Sequence, residues 1–375
     1  MNKELLKIEE APLFKLKKKA AGRFDIDLSQ AVPGWSMPEE AALYATKLLK
    51  EHRQNRLAFY TTDPGLDRLR KIISEHINKR YSCKTHVDDV IVTAGANQAF
   101  YTVVATLFSP KDIVILAEPY YFNHMMTLNI HGVEVKTVRY DKETIDIDPD
   151  HLRSLCEKEK NVKAIVLVNP SNPTGKVYSK EQIDEIVSIA YENDLWIISD
   201  ETYELFSDDM VSIAGYKEHK KKVIIGSFSK SFSMTGFRTG YIVNTCNITS
   251  QLLKAQDCQI ICAPRISQEI AWFCMKKLSK KWLERKKSLL RKRENMIRSI
   301  KSDYFKVLSA GSFFAYVKGR DRCDKIVEIL LDKGILVAPG NMFESDLETK
   351  NIRISTGNVD EDTLKKTIKI MEKIN

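Results

Sequence analysis

The sequence predicts a two-domain α/β protein: a large domain with a mainly parallel seven-stranded sheet between helices, and a smaller α+β domain made from both termini. Three observations predict it. From about residue 90 to residue 243, short β-branched apolar runs alternate with helical patterns, the signature of a parallel sheet covered on both faces. After Val243 that alternation stops, and a long helical stretch leads to a few further strands. At 375 residues the chain exceeds the roughly 250–300 residues at which single cores split, so one polypeptide can build a cleft between two unequal units.

The seven strands are expected at 90–93, 113–117, 133–138, 164–169, 196–199, 223–227 and 239–243. Ser179 followed by Gln182 reads as a capping box that opens a helix running to about Glu192. The second unit takes strands near 313–317, 336–338 and 352–355, with helices at 324–332 and 360–374. Residues 1–45 do not fit the alternation. They are expected to join residues 256–375 in the small domain, leaving 46–255 as the large one.

Composition is that of an ordinary globular chain, with 43% hydrophobic and 29% charged residues, which excludes fibrous and low-complexity classes. The net charge is +9, and basic residues crowd into 276–301. Leu278, Trp282, Leu283, Leu289, Leu290, Met296 and Ile297 are interleaved there at helical spacing, so a long helix with one solvated face is expected and no nucleic acid as partner. The seven cysteines are an odd number without a C-x-x-C pair, which points to free thiols in a reducing compartment and to no metal site. Residues 1–19 lack the apolar core of a secretory signal, and no apolar run approaches a membrane span. A cytoplasmic protein that does not enter membranes is the expectation.

The chemistry-bearing segment is Ser227-Phe228-Ser229-Lys230, which follows the buried-looking strand Val223-Ile224-Ile225-Gly226. A lysine at such a strand end, among hydroxyls, is placed to lose its proton and attack an aldehyde. Arg238, with Ser227 and Ser229, offers the donors that a phosphate needs. A lysine among serines is by itself usually only a loop; its companions change that reading. Upstream, the apolar run Leu195-Trp196-Ile197-Ile198-Ser199 ends in Asp200, at the strand edge where open α/β sheets bind ligands. A carboxylate there holds a pyridine nitrogen protonated, so that the ring withdraws electrons; Glu201 reads as a helix-capping acid, and Tyr203 reaches toward a ring oxygen. Asn172 sits between Pro170 and Pro173 in a rigid turn after another strand, its amide held toward the same crevice. Gly95, Ala96 and Asn97 form a strand-to-helix turn whose backbone N–H groups suit an anion, without the G-x-G-x-x-G pattern of a dinucleotide site.

The order G-A-N-Q-A, P-Y-Y, N-P-T-G, D-E-T-Y, S-x-S-K with an arginine eight residues on, and a late I-R-I-S resembles the class I/II aminotransferases of pyridoxal 5'-phosphate (PLP) fold type I. The resemblance runs from about Leu28 to the C-terminus. It implies a Schiff base between Lys230 and PLP, Asp200 at the pyridine nitrogen, Tyr121 stacked on the ring, and Asn172 and Tyr203 at its phenolic oxygen. It also implies that Arg353 takes the substrate α-carboxylate, with Gly34 and the neighbouring Trp35 close by. Tyr60 is implied to reach the cofactor phosphate of a neighbouring subunit, making a homodimer with shared sites. The expected reaction moves an amino group between an L-amino acid and a 2-oxo acid, Lys230 acting as general base. From the residues alone, Tyr121 also fits a core aromatic, and Arg353 a surface ion pair.

Departures from the family pattern leave the substrate side chain open. Trp35 and Met37 stand where a Gly-x-Pro stretch is common and are expected to narrow the pocket; Glu344 stands where a small residue often follows Pro-Gly-x-x-Phe. The same lysine, aspartate and arginine frame serves oxidases, lyases and decarboxylases, which a half-transamination assay separates. A non-catalytic regulator is the other alternative, opposed by retention of Lys230 and Asp200 and by the short segment ahead of the fold.

Overall fold

The computed structural model describes residues 3–6, 8–54 and 56–375. In chain order the strands are β1 (Ile26–Asp27), β2 (Val90–Thr93), β3 (Ile113–Ala117), β4 (Glu134–Val138), β5 (Val162–Val168), β6 (Trp196–Asp200), β7 (Lys222–Ser227), β8 (Gly240–Asn244), β9 (Lys306–Gly311), β10 (Phe314–Lys318), β11 (Ile335–Leu336), β12 (Ala338–Pro339) and β13 (Asn351–Ser355). The large sheet has seven strands in the order β2-β8-β7-β6-β5-β3-β4. Central strands such as β3 and β7 are buried along their whole length, as continuous apolar runs between two helical layers should be. Edge strand β4 is exposed at Glu134 and buried at Val138.

Every pairing in this sheet is parallel except those of β8, which runs antiparallel to both β2 and β7. The C-terminal ends of β2, β5, β6 and β7 therefore lie along one sheet edge with the start of β8. Thr93 and Ser227 both face Gly240 in the register, so segments far apart in sequence meet there. Ser179 caps its helix, Lys180–Glu192, by accepting from the Gln182 N–H at 3.3 Å. Half of the expected box is missing, since the Gln182 side-chain oxygen has no partner.

A four-stranded antiparallel sheet, β12-β13-β10-β9, forms the small unit, and β1 pairs with β11 beside it. Strands β1 and β9 had no clear sequence signal, and the expected strand at 336–338 is split into β11 and β12. The N-terminal segment joins this unit through Ile26 and Leu28, but only in part. The helix Glu39–Lys50 buries Ala41 and Leu48 in the large core, and the helix Arg265–Phe273 buries Ile270 and Ala271 there. Packing thus departs from the boundaries at 45/46 and 255/256. The crossover lies inside the helix Ser279–Arg298, where Leu283 packs in the large core and Ile297 in the small one. Each such apolar side chain contributes roughly 1.5–3 kcal/mol when buried.

That helix is the basic stretch. It turns Leu283, Leu290 and Ile297 inward together with Arg293, whose Nη1 donates to the Thr356 carbonyl at 3.0 Å. Lys287, its side chain only 15% exposed, and the more exposed Arg291 pair with Asp208. No helix among the described residues is long and apolar enough to cross a membrane.

Candidate active site

The shared sheet edge opens into a cavity of about 260 Å³ between the two units. Its lining includes Ala96, Asn97, Tyr121, Asn172, Asp200, Tyr203, Ser227, Ser229, Lys230, Arg238 and Arg353. Strand ends deliver most of these: Asp200 closes β6, Ser227 closes β7, and Lys230 follows in the next turn. Gly95, at φ +89°, caps the helix Ala96–Leu107, and a Cβ on it would collide with the Arg238 guanidinium. Glycine is therefore required where the helix N-terminus approaches that cation.

Lys230 is partly buried, and its Nζ donates to the Ala31 carbonyl at 2.5 Å. Loss of hydration pushes its ammonium down to about 8, with Arg238 and Arg353 adding to the shift and Asp200 opposing it. An amine with that pKa has an appreciable neutral, nucleophilic fraction at neutral pH. Asp200 is 5% exposed; its Oδ1 accepts from the Thr202 N–H at 3.0 Å, and its Oδ2 lies 3.2 Å from His124 Nε2. His124 is buried and stacked on Phe100 at 4.0 Å, and its Nδ1 has no partner. Burial raises both phenols: Tyr203 well above its ordinary value, and Tyr121 upward with a contribution from Asp200. Both stay neutral, as donors. The Tyr121 hydroxyl also accepts from Asn123 Nδ2 at 2.7 Å.

Arg353 is only 1% exposed and stacks between Phe314 and Phe343, with its guanidinium 4.9 and 4.7 Å from the ring centres. Nη1 donates to Asn172 Oδ1 at 2.8 Å and Nη2 to the Ser29 carbonyl, while Nε has no partner. Among the described residues no carboxylate is within ion-pair reach of it. A buried cation without a counter-ion is costly, so burial lowers its pKa to about 10 and the site is primed for an anion. A surface ion pair, the other sequence reading of this residue, is not what the fold builds.

Arg238 is exposed and donates through Nη1 to the Thr235 carbonyl at 3.0 Å. With Ala96, Asn97, Ser227 and Ser229 it lines the same cavity as Arg353. Three cations thus surround one carboxylate, a balance that fits a ligand carrying a phosphate and a carboxylate. The residue set fits PLP: a lysine for the aldehyde, Asp200 for the ring nitrogen, the neutral Tyr203 phenol and the Asn172 amide for the ring oxygen, the Tyr121 ring for the pyridine face, and an arginine with hydroxyls at a helix N-terminus for the phosphate.

Four expected site residues do not line the cavity: Gly95, which caps the helix Ala96–Leu107, and Gly34, Trp35 and Tyr60. Gly34 donates its N–H to the Gly357 carbonyl at 2.9 Å, and a Cβ there would strike Asn358, so its role is close backbone packing. Trp35 is turned toward Phe313 at 5.5 Å and lies under Lys286 and Arg293, with Met37 packed against the large core. Cation–π attraction draws the indole to the long helix and away from the pocket, so neither Trp35 nor Met37 narrows it. Tyr60 is 72% exposed and absent from its own chain's cavity.

Other lining residues escaped sequence reasoning: Leu13, Gln30, Ala31, Val32, Phe122, Thr202 and Thr235. His124 escaped too. It lies one helical turn after Tyr121, and a lone histidine on an apolar face was the only available signal.

A lysine and an aspartate at strand ends of the large sheet, with a buried arginine from the small one, define the class: an α/β enzyme of PLP fold type I. The profile of the family described as aminotransferase class I and II matches residues 27–371. The chain is 34% identical to the aromatic aminotransferase ISS1 of Arabidopsis thaliana over 72% of this chain and 68% of that one. It is 31% identical to the putative aminotransferase YugH of Bacillus subtilis over 76% of each. Among solved structures, one described as Pyrococcus protein-A1 superposes with a TM-score of 0.90 at 25% identity, covering 98% of this chain and 97% of that one. The chain belongs to the class I/II aminotransferases. Its general activity is theirs, PLP-dependent transfer of an amino group.

Proposed function

We propose that this chain binds PLP through Lys230 and moves the amino group of an L-amino acid to a 2-oxo acid. The convergence of Lys230, Asp200 and Arg353 on one cavity from three separate strands carries this reading. When bound, PLP supplies an aldehyde carbon and an electron-withdrawing ring. Asp200 holds the proton on the ring nitrogen, and His124 keeps the Asp200 carboxylate aimed there. Arg353 binds the substrate α-carboxylate and fixes the orientation of the Cα–H bond, while Asn172 steadies the guanidinium. Lys230, as a neutral amine, takes the proton from Cα at its Nζ. Tyr203 and Asn172 are the donors for the ring oxygen, Tyr121 offers its aromatic face to the pyridine ring, and Ala96, Asn97, Ser227, Ser229 and Arg238 hold the phosphate.

We assign the chain to a homodimer in a cytoplasmic setting. Tyr60, Phe59, Leu43 and Leu49 are exposed large side chains on neighbouring segments, which supports a second copy covering them. All seven cysteines are free, in keeping with a reducing compartment.

Borohydride reduction of the PLP-loaded protein followed by peptide mapping is expected to label Lys230. Addition of a suitable amino acid is expected to convert the bound chromophore without oxygen uptake or release of ammonia. Lys230→Ala should lose the label and roughly 10⁴-fold in rate while holding PLP non-covalently. An unlabelled Lys230 in folded, PLP-saturated protein overturns the proposal.

A further inference from the structure

Once the cofactor and α-carboxylate contacts are assigned, one wall of the cavity is left over. Of the lining residues that remain, Val168, Thr202 and Thr235 belong to the strand ends and turns of the large sheet, and Leu13, Gln30, Ala31, Val32 and Phe122 make up this wall. Leu13 comes from the helix Pro12–Lys19 and packs in one apolar cluster with Phe122, Phe343, Met126 and Met342. The three cations among the described lining residues are already engaged: Lys230 with the cofactor, Arg238 with its phosphate, and Arg353 with the α-carboxylate. The nearby Lys17 is neutralised by Asp27 at 2.6 Å and donates to Gln30 Oε1 at 2.5 Å. Gln30 is thereby the one polar side chain on this wall, and its acceptor is taken. Its Nε2 amide remains an uncharged donor, and the Ala31 carbonyl oxygen, which accepts from Lys230 Nζ, repels anions.

We infer that this wall receives the substrate side chain, that it selects neutral, apolar amino acids over dicarboxylic ones, and that Leu13 is a specificity-determining residue. The inference rests on the aminotransferase reading above. Against Leu13, Val32 and Phe122 a second carboxylate on the substrate would lose its hydration without gaining a counter-ion from this chain's described lining residues, an unfavourable exchange. A leucine, methionine or phenylalanine side chain would cover apolar surface instead. Hydrophobic walls discriminate between apolar side chains only modestly, so a broad apolar range is expected with a sharp break at the acids.

The PLP-loaded enzyme is to be mixed with single amino acids, following the chromophore. L-leucine, L-methionine and L-phenylalanine should react with a kcat/KM at least about ten-fold above that of L-aspartate or L-glutamate. The unreactive acid 3-phenylpropanoate should also bind at least about ten-fold more tightly than succinate, read by calorimetry. Aspartate or glutamate matching the apolar substrates, or succinate matching 3-phenylpropanoate, overturns the inference and leaves aminotransferase activity standing. If no amino acid converts the chromophore while 3-phenylpropanoate binds as stated, the aminotransferase reading fails and the wall assignment holds. Leu13→Arg should raise the aspartate-to-leucine ratio at least about ten-fold, and an unchanged ratio removes Leu13 from the specificity wall. Where the arginine form loses the cofactor spectrum, Leu13→Gln replaces it, with the ratio expected to move in the same direction by a smaller factor.

Discussion

The two halves of the cavity are built on different principles. On the large-domain side, Asp200, Ser227 and Lys230 lie at or just after strand ends, and Asn97 opens a helix just after β2. Their positions follow from short stretches of chain, and Asp200 is partnered locally by the Thr202 N–H and, from another element of the same domain, by His124. On the small-domain side, Arg353 comes from the last strand, and Leu13 and Gln30–Val32 come from the opposite end of the chain. There a guanidinium is buried with only an amide and a carbonyl for company. One half stores chemistry in strand-end geometry. The other stores it as unpaired charge, held in place by contact between distant segments.

Replacing Arg353 probes the second half most severely. Arg353→Met should lower kcat/KM by roughly 10²-fold or more, mainly through KM, because a buried charge contact to the substrate is lost. Its apoprotein should be no less stable than the parent in denaturant unfolding, since an uncompensated buried charge is removed. A loss of about 2 kcal/mol or more would break the contrast between the halves. The first half is sharpened by His124→Phe, which keeps a ring against Phe100 but removes the partner of Asp200. A fall of about ten-fold in kcat with a shifted cofactor spectrum is expected; unchanged kinetics would show that Thr202 alone holds the carboxylate.

The smallest effect concerns Glu201, which follows Asp200 but points away from the cavity. Its two oxygens accept from Ser212 Oγ, both at 2.8 Å, and burial pushes its pKa from 4.5 up to about 8. The folded form thus binds the proton more tightly than the unfolded one. Its contribution is complete below about pH 4.5 and is lost as pH rises toward about 8. Glu201→Gln should therefore gain stability relative to the parent on going from pH 5 to pH 8, measured by urea unfolding at each pH. A difference independent of pH would show that Glu201 is ionised in the fold.

Much of the fold was legible because periodicity is local. The seven large-sheet strands fall near their expected places, and Ser179 caps its helix as its spacing implied. The two-residue strand β1 was not legible, since two residues cannot show a period; it exists by pairing with β11. Trp35 was misread for a related reason. A large aromatic beside a glycine-proline stretch suggests a pocket wall, yet Lys286 and Arg293, far along the chain, decide where its ring lies.

The order of residues was enough to specify the sheet, the strand-end lysine and aspartate, and the family, because strand patterns and turn chemistry depend on a few neighbouring residues. Only folding settled that His124 meets Asp200, that Arg353 is buried without a carboxylate, and that Leu13 lines the cavity. Those contacts join segments whose meeting depends on how whole domains pack, and no short-range pattern encodes that.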